Sequence, residues 1–212
     1  MLVHGAGTGP GVWRGWEQAL AGLAVEAVDL QRGLELSRAS MADYAQAVVR
    51  AAGRLPAPVA LCGFSMGGLV AMMAAAPAEA SRLVVMEPSP PREVLAREPG
   101  AALRDGTFDV EEVYGRFPAG VDARPESLLA RIERRRGIPV PSPRCPMLVV
   151  YGDSVPPERG PFVAERYGAE HLHVARAEHW DLVLEARVRA AVAAWLRGVR
   201  PPPRRPFGAA GG

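Results

Sequence analysis

The strongest constraint on the fold is a set of short runs that are apolar at nearly every position. They are Val59-Ala60-Leu61-Cys62, Leu83-Val84-Val85-Met86 and the stretch from Pro146 to Tyr151. A strand covered on one face alternates apolar and polar residues; one covered on both faces does not. Segments of helical periodicity separate these runs. Ser40 stands as an N-cap before Met41, Tyr44, Ala45, Val48 and Ala52, the spacing of one helical face. Gly67 to Ala76 reads as a helix that stops before Pro77. Leu2-Val3 reads as the end of a strand, Val12 to Leu23 as a helix and Val25 to Leu30 as a strand. Further on, Glu158 to Tyr167 reads as a helix and His171 to Val174 as a strand. Asp181 to Leu196 reads as a last helix, with Leu184, Val188, Ala191, Val192 and Trp195 inward. This alternation predicts an α/β fold: a doubly wound, mostly parallel sheet of about six strands with helices on both faces.

The alternation breaks from Pro88 to Pro143, where prolines are common and no strand pattern occurs. Two short helices fit this stretch. Asp109 with Glu112 forms a capping-box pattern ahead of Val110, Val113, Tyr114 and Phe117, and Glu126 to Arg136 is the second. The basic run Arg134-Arg135-Arg136 then falls at a helix C-terminus followed by Gly137, where the helix dipole favours cations. A connection this long is usually functional, so residues 88–143 are expected to form a small helical cap or lid. The domain plan is therefore a core of residues 1–87 and 144–197, the cap, and a flexible tail of residues 198–212 rich in Pro and Gly.

Composition narrows the function classes. A chain of 212 residues is long enough to bury a full core as one domain. A net charge of +2 gives no electrostatic footprint for nucleic acid. No apolar run reaches membrane-spanning length, and the first residues lack the basic and apolar regions of a secretory signal, so a cytoplasmic protein is expected. Cys62 and Cys145 match no metal or disulfide spacing and read as small core residues.

The chemistry concentrates in Gly63-Phe64-Ser65-Met66-Gly67. This Gly-x-Ser-x-Gly lies between a predicted strand and a predicted helix. A sharp strand-to-helix turn there lifts the serine above the sheet, and small neighbours let the helix approach the strand. The helix N-terminus supplies partial positive charge, and the Met66 N–H can help hold an oxyanion.

Leu2-Val3-His4-Gly5-Ala6-Gly7 resembles the His-Gly oxyanion loop of the α/β-hydrolase superfamily. The resemblance extends over nearly the whole chain, with loop, serine elbow, acid region and histidine in the family's order. It implies that the Ala6 N–H is the second oxyanion donor and that His4 is structural. It also implies that His179, in Ala177-Glu178-His179-Trp180 after the last strand, is the general base. A phosphate cradle is a poor alternative: the chain has no lysine, and its early glycines do not fit Gly-x-Gly-x-x-Gly.

The acid is left open between several carboxylates. The family's Gly-x-x-Asp pattern would put it at Val155, whereas this chain has Asp153 two residues earlier, in Gly152-Asp153-Ser154-Val155. Asp153 is the first candidate. Glu87, at the end of the run Leu83 to Met86, is the second, because a carboxylate at the edge of a buried strand needs a partner. Glu158 and Asp181 come after these. The resemblance also carries two strands before the His-Gly loop that are missing here, so either a minimal six-stranded form or a start further upstream is expected.

The activity implied is a serine hydrolase that cleaves an ester, thioester or related carbonyl through a Ser-His-acid triad and an acyl-enzyme. Its partner would be a small, partly apolar substrate, with no metal or organic cofactor, no nucleic acid and no membrane; self-association into a homo-oligomer is open. A carbon–carbon bond hydrolase with the same triad is one alternative. A non-catalytic ligand-binding protein on this scaffold is another, and it gains if no carboxylate reaches His179. A scaffold using Cys62 as a nucleophilic or redox thiol ranks last, since a thiol inside a strand is usually inert.

Overall fold

The computed structural model describes residues 1–95, 116–121, 123–154 and 159–198. Within them, six strands form one sheet: β1 (Leu2–Val3), β2 (Ala27–Val28), β3 (Ala60–Phe64), β4 (Arg82–Met86), β5 (Met147–Tyr151) and β6 (Glu170–His173). Their order is β2-β1-β3-β4-β5-β6, and every pairing is parallel. All strand C-termini therefore open on one edge, which is where a doubly wound sheet builds its site.

Successive side chains of a strand point to opposite faces, so each continuous apolar run feeds two cores. On one face Leu61, Leu83, Val85 and Val149 pack with Val48 of α2 (Met41–Ala52) and Leu69 and Val70 of α3 (Met66–Ala74). On the other, Cys62, Phe64, Val84, Met86, Leu148 and Val150 pack with Trp13, Trp16, Trp180, Val192 and Trp195. Helices thus cover both faces, as the alternation predicts. The α2 helix starts where expected, with Ser40 and Asp43 forming a reciprocal capping box.

Several elements are shorter than predicted. Val12 to Leu23 is not one helix: a 3-10 turn (Pro10–Trp13) and a single helical turn (Trp16–Ala19) are separated by Gly15, whose φ of 84° a right-handed helix cannot continue. The strand expected from Val25 to Leu30 pairs only at Ala27–Val28, since it lies at the sheet edge with β1 as its neighbour. The last helix is broken at Glu185, whose ψ of 136° is extended, into Asp181–Leu184 and Ala186–Leu196. Ala193 is buried there, while Leu184 and Ala191 are half-buried.

In the expected cap, a short helix spans Arg92–Leu95, and α5 (Leu128–Arg136) is capped by Ser127, whose hydroxyl accepts from the Ala130 N–H. Helix α5 docks on the start of α2: Ser127 Oγ donates to the Ala39 carbonyl, and Glu133 accepts from the Met41 N–H at 2.8 Å. Arg134 pairs with the buried Glu126. The helix expected around Val110, Val113 and Tyr114, the candidate acid Glu158 and residues 199–212 of the tail lie outside the described residues.

Candidate active site

Ser65 follows β3 directly and precedes α3. Its backbone sits at φ 56° and ψ −125°, a left-handed conformation uncommon for a residue with a side chain. Close packing enforces the turn. A Cβ on Gly63 would stand 2.2 Å from the Gly67 carbonyl oxygen, and one on Gly67 would stand 2.2 Å from that of Val3. The Ser65 N–H donates to the Met86 carbonyl at 2.9 Å, while the Ser65 carbonyl accepts from Gly68 and Ser89. The elbow is thus tied to its own helix and to the segment after β4. Met66 is the first residue of α3, where backbone N–H groups lack intrahelical acceptors.

The loop after β1 passes against this serine, since a Cβ on Gly5 would lie 3.0 Å from Ser65 Cβ. Ala6 is buried beside it. His4 secures the loop from within. Its Nε2 accepts from the Leu30 N–H at 3.2 Å, so Nδ1 carries the proton and donates to the Gly5 carbonyl at 3.0 Å. Burial lowers the His4 pKa to about 4, which keeps the ring neutral. From outside, the Arg124 N–H donates to the Gly7 carbonyl, and its guanidinium pairs with Asp29 at 3.0 Å.

His179 lies just before the helical turn Asp181–Leu184. Its ring is buried and packs, tilted by 36°, 4.6 Å from that of Phe64, the residue before Ser65. Its Nδ1 lies 2.6 Å from Oε2 of Glu87, whose side chain is fully buried. The Glu87 carboxylate also accepts from the Gly152 N–H at 2.9 Å and from the Ser154 hydroxyl at 3.0 Å. These donors offset the large penalty of burying a carboxylate. They also fix the imidazole tautomer: Nδ1–H faces Glu87, and the lone pair is on Nε2. Burial lowers the His179 pKa, against the opposing pull of Glu87. Glu87 itself has φ 38°, so two left-handed, non-glycine residues stand at the ends of neighbouring strands.

Asp153, the first candidate for the acid, is not at this histidine. Its carboxylate contacts His173 Nε2 at 2.6 Å and accepts from the Arg176 N–H at 2.8 Å on the protein surface. The physical reason is the course of the loop after β5: Gly152 and Ser154 turn toward Glu87, and the residue between them points the other way. Asp181 is not in that role either, since its carboxylate accepts from the Glu178 N–H at the start of the next helix. The part played by Ser154 has no sequence signal. Cys62 is buried, with its pKa pushed up to about 12 by desolvation, so it is no nucleophile at neutral pH. Phe117, from the expected cap, packs 5.2 Å from Trp180, which in turn lies 5.8 Å from Phe64.

The profile of the alpha/beta hydrolase family matches residues 1–202. Among solved structures, the chain is similar to Est1E from Butyrivibrio proteoclasticus, a structure with ferulic acid bound. The identity is 21%, the TM-score 0.66, and the match covers 93% of this chain and 87% of that one. It is similar to the pyrethroid hydrolase PytH at 19% identity and TM-score 0.70, over 92% of this chain and 96% of that one. It is also similar to the methylesterase MES16 from Arabidopsis at 18% identity and TM-score 0.64, over 93% and 97%. At such identities these likenesses speak for the fold. No curated protein sequence matches the chain. Among the described residues, no helix is long and apolar enough to cross a membrane.

Proposed function

Since the chain belongs to the alpha/beta hydrolase family, we propose that it is a serine hydrolase acting by acyl transfer, with Ser65 as nucleophile, His179 as general base and Glu87 as the acid. The observation that carries this reading is the buried pair of His179 Nδ1 and Glu87 Oε2 at 2.6 Å, beside the strained serine turn. Glu87 orients the imidazole and stabilises the imidazolium that forms when Nε2 takes the Ser65 proton. The serine oxygen attacks the substrate carbonyl, and the N–H groups of Ala6 and Met66 receive the oxyanion. His179 then protonates the leaving group. Water, deprotonated by the same ring, cleaves the acyl-enzyme.

The substrate is a small, partly apolar ester, thioester or related carbonyl compound. The aromatic row of Phe64, Trp180 and Phe117 beside His179 favours apolar groups near the reacting centre. Est1E, which binds ferulic acid, and the methylesterase and pyrethroid hydrolase are neighbours consistent with that class. A purely ligand-binding scaffold would have no need of a buried carboxylate–imidazole pair next to a serine turn, whereas paired titratable groups of this kind cluster at catalytic sites.

The test is labelling with a fluorophosphonate probe. Wild type should label, Ser65→Ala and His179→Ala should not, and Glu87→Gln should label far more slowly than Asp153→Asn. Absence of wild-type labelling would remove the acyl-transfer reading. Loss of labelling in Asp153→Asn but not in Glu87→Gln would remove Glu87 as the acid.

A further inference from the structure

Asp153 is exposed, yet it sits at the junction of both loops that build the Glu87–His179 pair. Its chain neighbours, Gly152 and Ser154, both donate to the Glu87 carboxylate alongside His179. Its own backbone N–H donates to the Ala177 carbonyl at 2.8 Å. Its side chain accepts from the Arg176 N–H at 2.8 Å and contacts His173 Nε2 at 2.6 Å. Ala177 lies two residues before His179. The turn between β6 and His179 is strained, with Arg176 at φ 61°, and it needs an external hold to keep that shape. The two loops also touch closely: a Cβ on Gly152 would stand 2.1 Å from the Ala177 carbonyl oxygen. Nothing bulkier than hydrogen fits between them, so a shift in one loop is transmitted to the other.

We infer that Asp153 is a positioning residue for the Glu87–His179 pair, clamping the loop after β5 to the turn that carries His179. The inference rests on the acyl-transfer reading of the site. One residue fastens three points: its carboxylate holds the end of β6 through His173 at Oδ1 and the strained Arg176 at Oδ2, and its backbone N–H holds Ala177. Through Gly152 and Ser154 the same segment sets where Glu87 is held. Losing the clamp lets His179 and Glu87 drift relative to each other, so proton transfer from Ser65 slows while substrate binding is untouched. The His173 ring and the Arg176 N–H hold the Asp153 carboxyl below the ordinary aspartate range, so both oxygens are acceptors at neutral pH.

The experiment resolves fluorophosphonate labelling into a maximal inactivation rate and a half-saturating probe concentration. In Asp153→Ala the maximal rate should fall about tenfold, as expected for a slightly misplaced base. The half-saturating concentration should stay unchanged, and Asp153→Asn should recover part of the rate. In a Glu87→Gln background the Asp153→Ala change should add almost nothing, because both act through His179. A second readout is the downfield proton resonance of the His179 Nδ1–H, which should broaden or shift in Asp153→Ala. If Asp153→Ala does not fold, His173→Ala removes the same contact from the exposed side. Wild-type-like labelling in a folded variant overturns the inference, as does a fall that is fully additive with Glu87→Gln. If the wild type itself fails to label, acyl transfer falls, and the resonance alone decides: an unchanged signal in Asp153→Ala overturns the clamp.

Discussion

Replacing His4 with a side chain that cannot titrate should flatten the acid limb of the protein's stability. His4 is buried, and its Nε2 accepts from the Leu30 N–H. Protonating that nitrogen turns an acceptor into a donor facing another donor in a buried position. Desolvation is the main reason its pKa falls from 6.5 to about 4, with Asp29 opposing and Arg124 reinforcing. The sign follows from linkage. The unfolded chain takes up the proton near pH 6.5 and the folded chain only near pH 4, so the stabilisation is full above 6.5 and is lost as pH falls toward 4. Each unit between the two values is worth about 1.4 kcal/mol, so between pH 7.5 and pH 4.5 the wild type should lose on the order of 2 to 3 kcal/mol through His4 alone. The assay is urea unfolding of wild type and His4→Gln across that range. The variant starts less stable at neutral pH, having lost the bond to Leu30, but its acid slope should be shallower by about 2 to 3 kcal/mol in total. His179 contributes with the same sign in both proteins and cancels in the comparison. Parallel stability curves for the two proteins would refute the reasoning.

Three further outcomes are expected. Glu87→Gln should lower the labelling rate of Ser65 by roughly a thousandfold with little change in fold, because an amide no longer imposes the tautomer or stabilises the imidazolium. Gly67→Ala should destabilise by about 3 kcal/mol or more, since the new Cβ would stand 2.2 Å from one backbone carbonyl oxygen and 2.3 Å from another; Gly22→Ala, with φ 87° but open space around it, should cost only about 1 kcal/mol in thermal unfolding. The acid limb of the rate–pH profile should lie below the usual histidine range, because burial lowers the His179 pKa and the ring acts as a base only when neutral. A limb at or above the ordinary value would contradict that environment.

The parts of this molecule that were legible in its sequence are those where one physical cause leaves one pattern. Burial on both faces leaves continuous apolar runs, and Leu83-Val84-Val85-Met86 and all but the first residue of Val59-Ala60-Leu61-Cys62 lie in central strands. The Ser65 turn was legible because close helix–strand approach demands glycine at defined offsets. The partner of His179 was not, because two carboxylates stand at the ends of neighbouring strands and both orders of pairing satisfy the sequence. The choice is made by tertiary detail: the positive φ of Glu87, and a loop in which Gly152 and Ser154 face inward and Asp153 outward. Edge elements are less legible for a related reason. An apolar stretch such as Val25 to Leu30 does not record how many of its residues pair in the strand ladder, and only Ala27 and Val28 do.

The register between β3 and β4 has a consequence for how such a protein can diversify. Phe64 is paired with Met86, so Ser65 and Glu87 are the next residues of two hydrogen-bonded strands, and their separation is set by the ladder itself. The long connection to β5 begins only afterwards, at Pro88, and reaches the sheet at Met147. Its length and composition are therefore decoupled from the spacing of the serine and the carboxylate. A lineage, or a designer, could vary the length of that connection while inheriting the spacing of Ser65 and Glu87, provided it kept Arg124, which ties the connection to the loop after β1, and Phe117, which packs on Trp180.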